Sequence, residues 1–428
     1  MSQHQLETSL PRKISFRLIP ILIMAYVLAH LDRGNISFAA LTMNEDLNLS
    51  ASAFGFGAGV FYLGYLLFQV PINLLLQRFG ARRLITIMMI VWGVLSTSLA
   101  FIQSENSLYS LRFFLGIAES GLYPGVMLYI TYWYPPKNRA GAIALFGLAI
   151  VIGGLLGGPL AGFILDNFDG LAGLAGWRWL FIIEGAPSIF LALIVLWRLD
   201  DQPQQANWLT DSEKAWLKEN QPENKTIALS LKESLSQLGE GRIWLLAAIY
   251  MLFLGTLSGF LFWIPRMLQA SHSSLDNTDI GLLVGACHIP FAFVMIFWGK
   301  RSDRLGERFQ HVLMVSALMA IGLIAFLSSS SLTSNIIALC CFMAGAGGVL
   351  STVWGMVTDV LGPRLAAVGI AVVNSGGALG SFASVSLIGV LRDRTGSHTL
   401  GIELLFVCVL LSMTCIVLAS KRYKIVHS

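Results

Sequence analysis

Four charged residues stand out because they fall where charge is costly. Asp32 and Arg33 sit side by side in the apolar run "IPILIMAYVLAHLDRGNISFAAL" (residues 19–41), and Arg112 and Glu119 lie in "LRFFLGIAESGLYPG". A charge at the centre of a bilayer costs about 2.5–3.5 kcal/mol on insertion scales, so such residues normally line a polar pathway. Arg112 and Glu119 are seven positions apart, about two helical turns, and share a face. Asp32 and Arg33 are about 100° apart around a helix and cannot point the same way; one can face a neighbouring helix while the other faces a cavity. The four could form a packing cluster between helices. Such a cluster could be replaced by apolar packing at little cost, so two acids and two bases at mid-depth suggest work. An Arg stays charged and offers a fork that matches a carboxylate. A carboxyl shielded from water can be loaded with a proton and unloaded near neutral pH. His30, Glu184, His288, Asp359 and Glu403 lie nearer span ends or are candidates for a neutral state.

The elements that must position these residues follow from composition. The chain has 428 residues, 55% hydrophobic and 12% charged, with mean hydropathy +0.71. Soluble proteins average roughly 25% charged residues. The apolar runs are long and do not alternate, which excludes the pattern of a membrane barrel and leaves helices. Each helix needs about 20 apolar residues to cross. Spans are expected near 18–42, 54–77, 84–103, 107–134, 140–165 and 178–198, then near 243–268, 280–299, 309–329, 335–359, 365–390 and 399–420. The pattern is an all-α membrane protein of twelve helices in two six-helix bundles, residues 1–199 and 242–428, joined by a polar linker at 200–241. The polar start runs into a span too long for a signal-peptide core.

Loop charge sets the expected orientation. Arg12, Lys13, Arg17, Arg78, Arg82, Arg83, Lys137, Arg139, Lys300, Arg301, Arg304, Arg308, Arg364, Lys421, Arg422 and Lys424 fall on one side, against Arg178, Arg266, Arg392 and Arg394 on the other. Both termini and the linker are therefore expected in the cytoplasm. The net charge of +4 reflects this bias and does not argue for a nucleic-acid partner. The five cysteines all fall in spans and read as small core residues. In the linker, Thr210 and Glu213 have the spacing of a capping box, with Trp208, Leu209, Ala215 and Trp216 expected on one face. "LSLKESLSQL" repeats the theme, and both stretches are expected as short amphipathic helices at the cytoplasmic membrane surface.

A repeat names the architecture. "NLLLQRFGARR" follows the second span and "GKRSDRLGERF" the eighth; Gly80 aligns with Gly306, Arg78 with Arg304 and Arg82 with Arg308. Two homologous halves are a signature of transporters built on internal repeats. Gly299, Asp303, Arg304, Gly306 and Arg308 resemble the G-x-x-x-D-R-x-G-x-R gating loop of the major facilitator superfamily, and "GGLLGGPLAG" (Gly154, Gly158, Pro159, Gly162) resembles its Gly-Pro motif. The first loop copy departs from the pattern, with Asn73 for the first Gly and Gln77 for the acid. That leaves the N-terminal copy without the acid of a charge lock.

Within that superfamily, "LDRGNIS", the Arg112–Glu119 spacing and "QVPINLLLQRFGARR" resemble the anion:cation symporter family, and "WRWLFIIEGAPS" resembles its bacterial permeases for sugar acids, tartrate, phthalate and hydroxyphenylacetate. The resemblance implies a carboxylate-binding role for Arg33 and proton-coupling roles for Asp32 and Glu119. It implies substrate contacts at Arg112, Tyr65, Ser351, Trp354 and Asn374, and more loosely at Tyr250. The bland alternative for the aromatics is packing, and for Asn374 a helix–helix hydrogen bond. The function implied is proton-coupled import of a small organic carboxylate across a bacterial inner membrane. An organic-anion exchanger on the same fold is the alternative, with a receptor or channel behind it. No nucleophile–base pair, metal-ligand spacing or phosphate-cradling loop suggests an enzyme, a metal or a cofactor, and nothing demands more than a monomer. Aromatic residues would suit an aromatic acid; Ser351 and Asn374 would suit hydroxyls.

Overall fold

The structure, a computed structural model, describes residues 3–220, 233 and 236–423. Among these, twelve helices are long and apolar enough to cross a membrane: α1 (Ser9–Asp46), α2 (Ala51–Leu76), α3 (Ala81–Phe101), α4 (Glu105–Trp133), α5 (Pro136–Asn167), α6 (Gly176–Arg198), α7 (Gly241–Ser271), α8 (Asn277–Leu305), α9 (Arg308–Ser328), α10 (Leu332–Gly362), α11 (Arg364–Thr395) and α12 (Thr399–Arg422). Each expected span overlaps one of them, four running one or two residues past its end, and the first helix extends upstream to Gln3.

Local signals set the helix ends. Ser50 caps the helix of α2 through Ala53 N, and Ser104 with Ser107 forms a capping box on α4. Pro136 opens α5, where its missing N–H is no loss. Two helices are interrupted at functional depth: α4 breaks at Ser120–Gly121 just after Glu119, and α8 turns at Cys287 beside His288. Gly362, at φ +63°, bends α10 into α11, a conformation that would strain any residue with a Cβ.

The two six-helix sets meet most closely at one end of the bundle, the face opposite the chain ends. There α5 lies on α8 backbone to backbone: a Cβ on Gly158 would stand 2.3 Å from Gly281 O, and one on Gly281 would stand 2.1 Å from Gly158 O. The α2–α11 contact repeats this arrangement. Carboxylates complete both seams. Asp166, in the last turn of α5, accepts from Thr278 N (2.7 Å), Thr278 Oγ1 (2.6 Å) and Asn277 Nδ2 (2.7 Å) at the start of α8. Asp393, in the last turn of α11, accepts from Ala51 N (3.0 Å) and Ser52 N (2.8 Å) at the start of α2. Each half thus places an acid on a helix N-terminus of the other, where unsatisfied N–H groups and the helix dipole favour negative charge.

The face that carries the chain ends holds the repeated loops. Gly306, at φ +71°, ends α8, and Arg308 Nη1 donates to Asp303 Oδ1 (2.5 Å) while its Nε reaches Asp359 Oδ2 (3.4 Å) on α10. Arg304 and Arg78 are exposed. In the first copy the missing acid is supplied from elsewhere: Asp201 Oδ1 accepts from Arg82 N (2.9 Å) beside Gly80, and Arg82 Nε donates to Leu196 O (2.7 Å).

Asp201 belongs to the linker, whose first part is seated on the N-terminal half. Thr210 and Glu213 form the capping box of a helix at Asp211–Asn220. The helix's apolar face, Trp216 and Leu217, is covered by protein, where the sequence reading placed it on the membrane surface. Trp208 and Leu209 precede the helix instead of sharing its face: Trp208 stacks on Trp133 (5.5 Å, 8° between planes) and bonds Asp200. Lys13 Nζ meets Glu213 Oε2 at 2.8 Å. Burial pushes the Glu213 carboxyl up, but Lys13 and Thr210 outweigh it and hold it below the usual carboxylate range. The second expected linker helix falls largely outside the described residues.

Candidate functional site

Asp32 and Arg33 do point apart. Arg33 Nε donates to Glu119 Oε2 at 2.6 Å, joining α1 to α4 just before the break in α4. Three rings, Tyr26, Phe61 and Tyr65, surround the guanidinium at 5.8, 5.7 and 5.4 Å, close enough for cation–π attraction. The Arg33 side chain keeps 20% exposure, whereas Asp32, Arg112 and Glu119 keep none, so Arg33 is the charge of the four that an incoming molecule can touch. Its Nη2 has no hydrogen-bond partner, nor has Glu119 Oε1. The pair is therefore half-satisfied and has donor capacity left for a further anion.

Asp32 turns into the N-terminal half. Ser96 Oγ of α3 donates to Asp32 Oδ1 (2.6 Å), and Ser188 Oγ of α6 lies 3.5 Å from Asp32 Oδ2. Arg112 is fully buried behind Phe61, its guanidinium 4.9 Å from the ring centre, and bonds Ala58 O at 3.3 Å. It shares a face with Glu119, as its spacing requires, but Glu119 pairs with Arg33.

The candidates from the C-terminal half are split. Tyr250 and Trp354 pack together at 5.0 Å between ring centres. Asn374 Nδ2 donates to Gln69 Oε1 at 3.1 Å, a bridge between α11 and α2 at mid-depth. Ser351 is drawn away: its hydroxyl donates to Gly348 O of its own helix, and its Cβ lies against Gly299 near the loop after α8.

Sequence reasoning missed several participants. Tyr26, Phe61 and Gln69 carry no signal of their own in an apolar or aromatic-rich span. Asn35, three positions after Asp32, was visible as a polar residue in an apolar run; Glu184, four before Ser188, was singled out from the sequence but given no role, and both are 2% exposed. Their neighbours are set by helix packing.

Among the described residues, twelve helices able to cross a membrane, with buried and half-buried charges inside the first six, have the architecture of a membrane transporter. The family profile of the Major Facilitator Superfamily matches residues 22–385, and the chain belongs to that family. It is 40% identical over 432 residues to a putative tartrate transporter of Agrobacterium vitis, covering 99% of this chain and 94% of that protein. It is 36% identical to the putative metabolite transport protein NicT of Pseudomonas putida, covering 97% and 95% of the two chains. The fold is also that of a bacterial homologue of the human lysosomal transporter Spinster, solved inward-facing and unoccupied (TM-score 0.74, 19% identity, 95% and 96% of the two chains).

Proposed function

We propose that this transporter imports a small organic carboxylate together with protons across a bacterial inner membrane. The observation that carries the reading is the Arg33–Glu119 pair: a partly exposed Arg whose buried Nη2 is unpaired, held by a fully buried acid. A substrate carboxylate at Arg33 competes with Glu119 for the guanidinium. Glu119, losing its counter-charge in a site shielded from water, then takes a proton, since an isolated buried carboxylate is costly. Binding of anion and proton are thereby linked through one Arg. The resemblance to a protein named as a tartrate transporter makes tartrate the first substrate to test.

We read the chain ends and linker as cytoplasmic; the basic loops support this, because Lys and Arg are retained on that side. The face sealed by Asp166, Asp393 and the Gly158–Gly281 contact is then the outer one, and the conformation faces inward. Asp32, Arg112, Tyr65, Tyr250, Ser351, Trp354 and Asn374 complete the proposed set, with Ser351 reaching substrate only after α8 and α10 move apart.

The test is tartrate binding by thermal shift, followed by tartrate uptake into proteoliposomes under an imposed proton gradient. Uptake into empty vesicles driven by that gradient supports symport. Transport that requires internal anion identifies an exchanger. No tartrate response, with a response to other small carboxylates, moves the substrate and leaves the site.

A further inference from the structure

Two buried acids lie apart from the Arg33–Glu119 pair. Asp32 on α1 and Glu184 on α6 are 0% and 2% exposed. Ser188, which approaches Asp32, lies one turn along α6 from Glu184, and Asn35 lies about one turn along α1 from Asp32. Asn35 is beside the Glu184 carboxyl. Even so, Glu184 Oε1 and both polar atoms of the Asn35 amide make no contact of full hydrogen-bond geometry. Helix packing fixes this pocket: α3 and α6 touch closely, a Cβ on Gly93 standing 3.2 Å from Gly185 O, and this brings Ser96 and Ser188 to one carboxylate.

An orphaned buried polar atom costs about 1–3 kcal/mol, and more when it is charged. Two buried carboxylates close enough to feel each other cannot both stay ionised cheaply. Asp32 is the charged side chain that faces Glu184 from α1, and α3 offers it no charge; Arg112 and Glu119 of α4 act on Asp32. A proton relieves each of these costs at once.

We propose that Asp32, Glu184 and Asn35 form a proton-binding site inside the N-terminal half, with Glu184 a proton-carrying carboxyl in addition to those near the substrate. This deepens the proton-coupled reading above and rests on it. In the loading step an O–H bond forms at Glu184 Oε1, and that hydrogen finds the acceptor it lacks in Asn35 Oδ1. In unloading that O–H bond breaks as one forms on the Asp32 carboxylate, and the Asp32 O–H bond breaks in turn as the proton passes to water. A site on the α3–α6 side of α1 holds its proton without touching the substrate, so substrate affinity and proton count become separable.

The test uses infrared spectroscopy of the full chain in lipid, titrated with pH in the absence of sodium and of any substrate. Wild type is expected to show a titrating carboxylic C=O band, and the near-isosteric Glu184→Gln to lose part of it. Ser188→Ala, which keeps both acids, is expected to move the band's midpoint. In proteoliposomes with tartrate, Glu184→Gln is expected to carry fewer protons per substrate at unchanged tartrate affinity. A band unchanged in Glu184→Gln overturns the proposal. A band displaced by sodium chloride in wild type but not in Glu184→Gln also overturns it, in favour of a sodium site on the same oxygens. The spectroscopic arm needs no substrate, so failure of tartrate to bind removes the substrate reading alone.

Discussion

Arg33 and Glu119 lie 86 positions apart in the chain and 2.6 Å apart in the protein, and they differ in exposure: the Arg side chain is 20% open and the acid fully closed. This asymmetry supports the proposed roles. The Arg can exchange partners with an incoming carboxylate, while the acid it leaves behind must change its proton.

Arg33→Ala is expected to abolish tartrate binding and to destabilise the protein. Removing one partner of a buried pair costs about 3–5 kcal/mol because the other charge is left behind. Arg33→Lys keeps charge without the fork and should weaken binding by a smaller factor. Adding Glu119→Gln to Arg33→Ala should restore much of the thermal stability and none of the binding. Thermal unfolding with and without tartrate measures both; tartrate binding by Arg33→Ala at wild-type affinity contradicts the assignment.

Glu119→Gln alone is expected to lose uphill, pH-driven uptake while keeping exchange of substrate for substrate. The amide imitates the protonated acid, so the loaded carrier can reorient, but return after proton release fails. Both activities can be read from one proteoliposome preparation. Accumulation at the wild-type rate would remove Glu119 from the coupling step; joint loss of exchange and uptake in folded protein would make it a binding residue.

Asp166→Ala and Asp393→Ala each remove a carboxylate from a helix start in the opposite half. A lost cap costs about 1 kcal/mol, roughly fivefold in a two-state ratio. The seams do not share residues, so the effects should add. The double variant should favour the outward-open state, read as lengthened spin-label distances between Leu171 and Leu400 at the distal ends of the two halves. Unchanged distances would make the two acids surface caps without a gating role.

Gly158→Ala tests the backbone seam. Its Cβ would stand 2.3 Å from Gly281 O, a contact that real Cβ atoms do not make. The face closed by Asp166 and Asp393 should be unable to form, and the same label pair should report the open distance even with both acids intact.

His398 supplies a pH dependence at that face. It borders a cleft of ≈ 250 Å³ lined also by Trp263, Arg266, Arg392 and Asp393. Burial first, then Arg392 and Arg266, holds its imidazole down at about 4. A depressed pKa favours the closed state above the ordinary value near 6.5, and that support is lost as pH falls toward 4. External acidification through this window should open the outer face, and His398→Gln should flatten the response. Label distances measured at pH 7 and pH 4.5 decide it.

Much of this molecule is legible along the chain. Hydropathy gives the twelve spans, because lipid demands about 20 apolar residues for each crossing. The Gly80 and Gly306 loops reveal the repeat, and Thr210 with Glu213 announces a capping box that forms as spaced. Even the divergence of Asp32 and Arg33 follows from 100° per residue. All of these are set by neighbours within a turn or two, or by the solvent around a segment.

What the tertiary structure decided is who meets whom. Spacing put Arg112 on the face of Glu119, yet packing buried Arg112 behind Phe61 and brought Arg33 to the acid from another helix. The acid missing from the first loop arrived as Asp201, 119 positions from the amide it serves. The linker helix, amphipathic enough for a membrane surface, found a protein surface because Trp208 could stack on Trp133 and Lys13 could reach Glu213. Glu184 and Asn35 became members of one pocket because glycines let α3 and α6 close on α1. A hydrophobic pattern specifies that a helix is buried and roughly which stripe it buries. It does not encode the partner, because apolar surfaces attract one another without direction; identity comes from the shape of close contacts between segments distant in sequence.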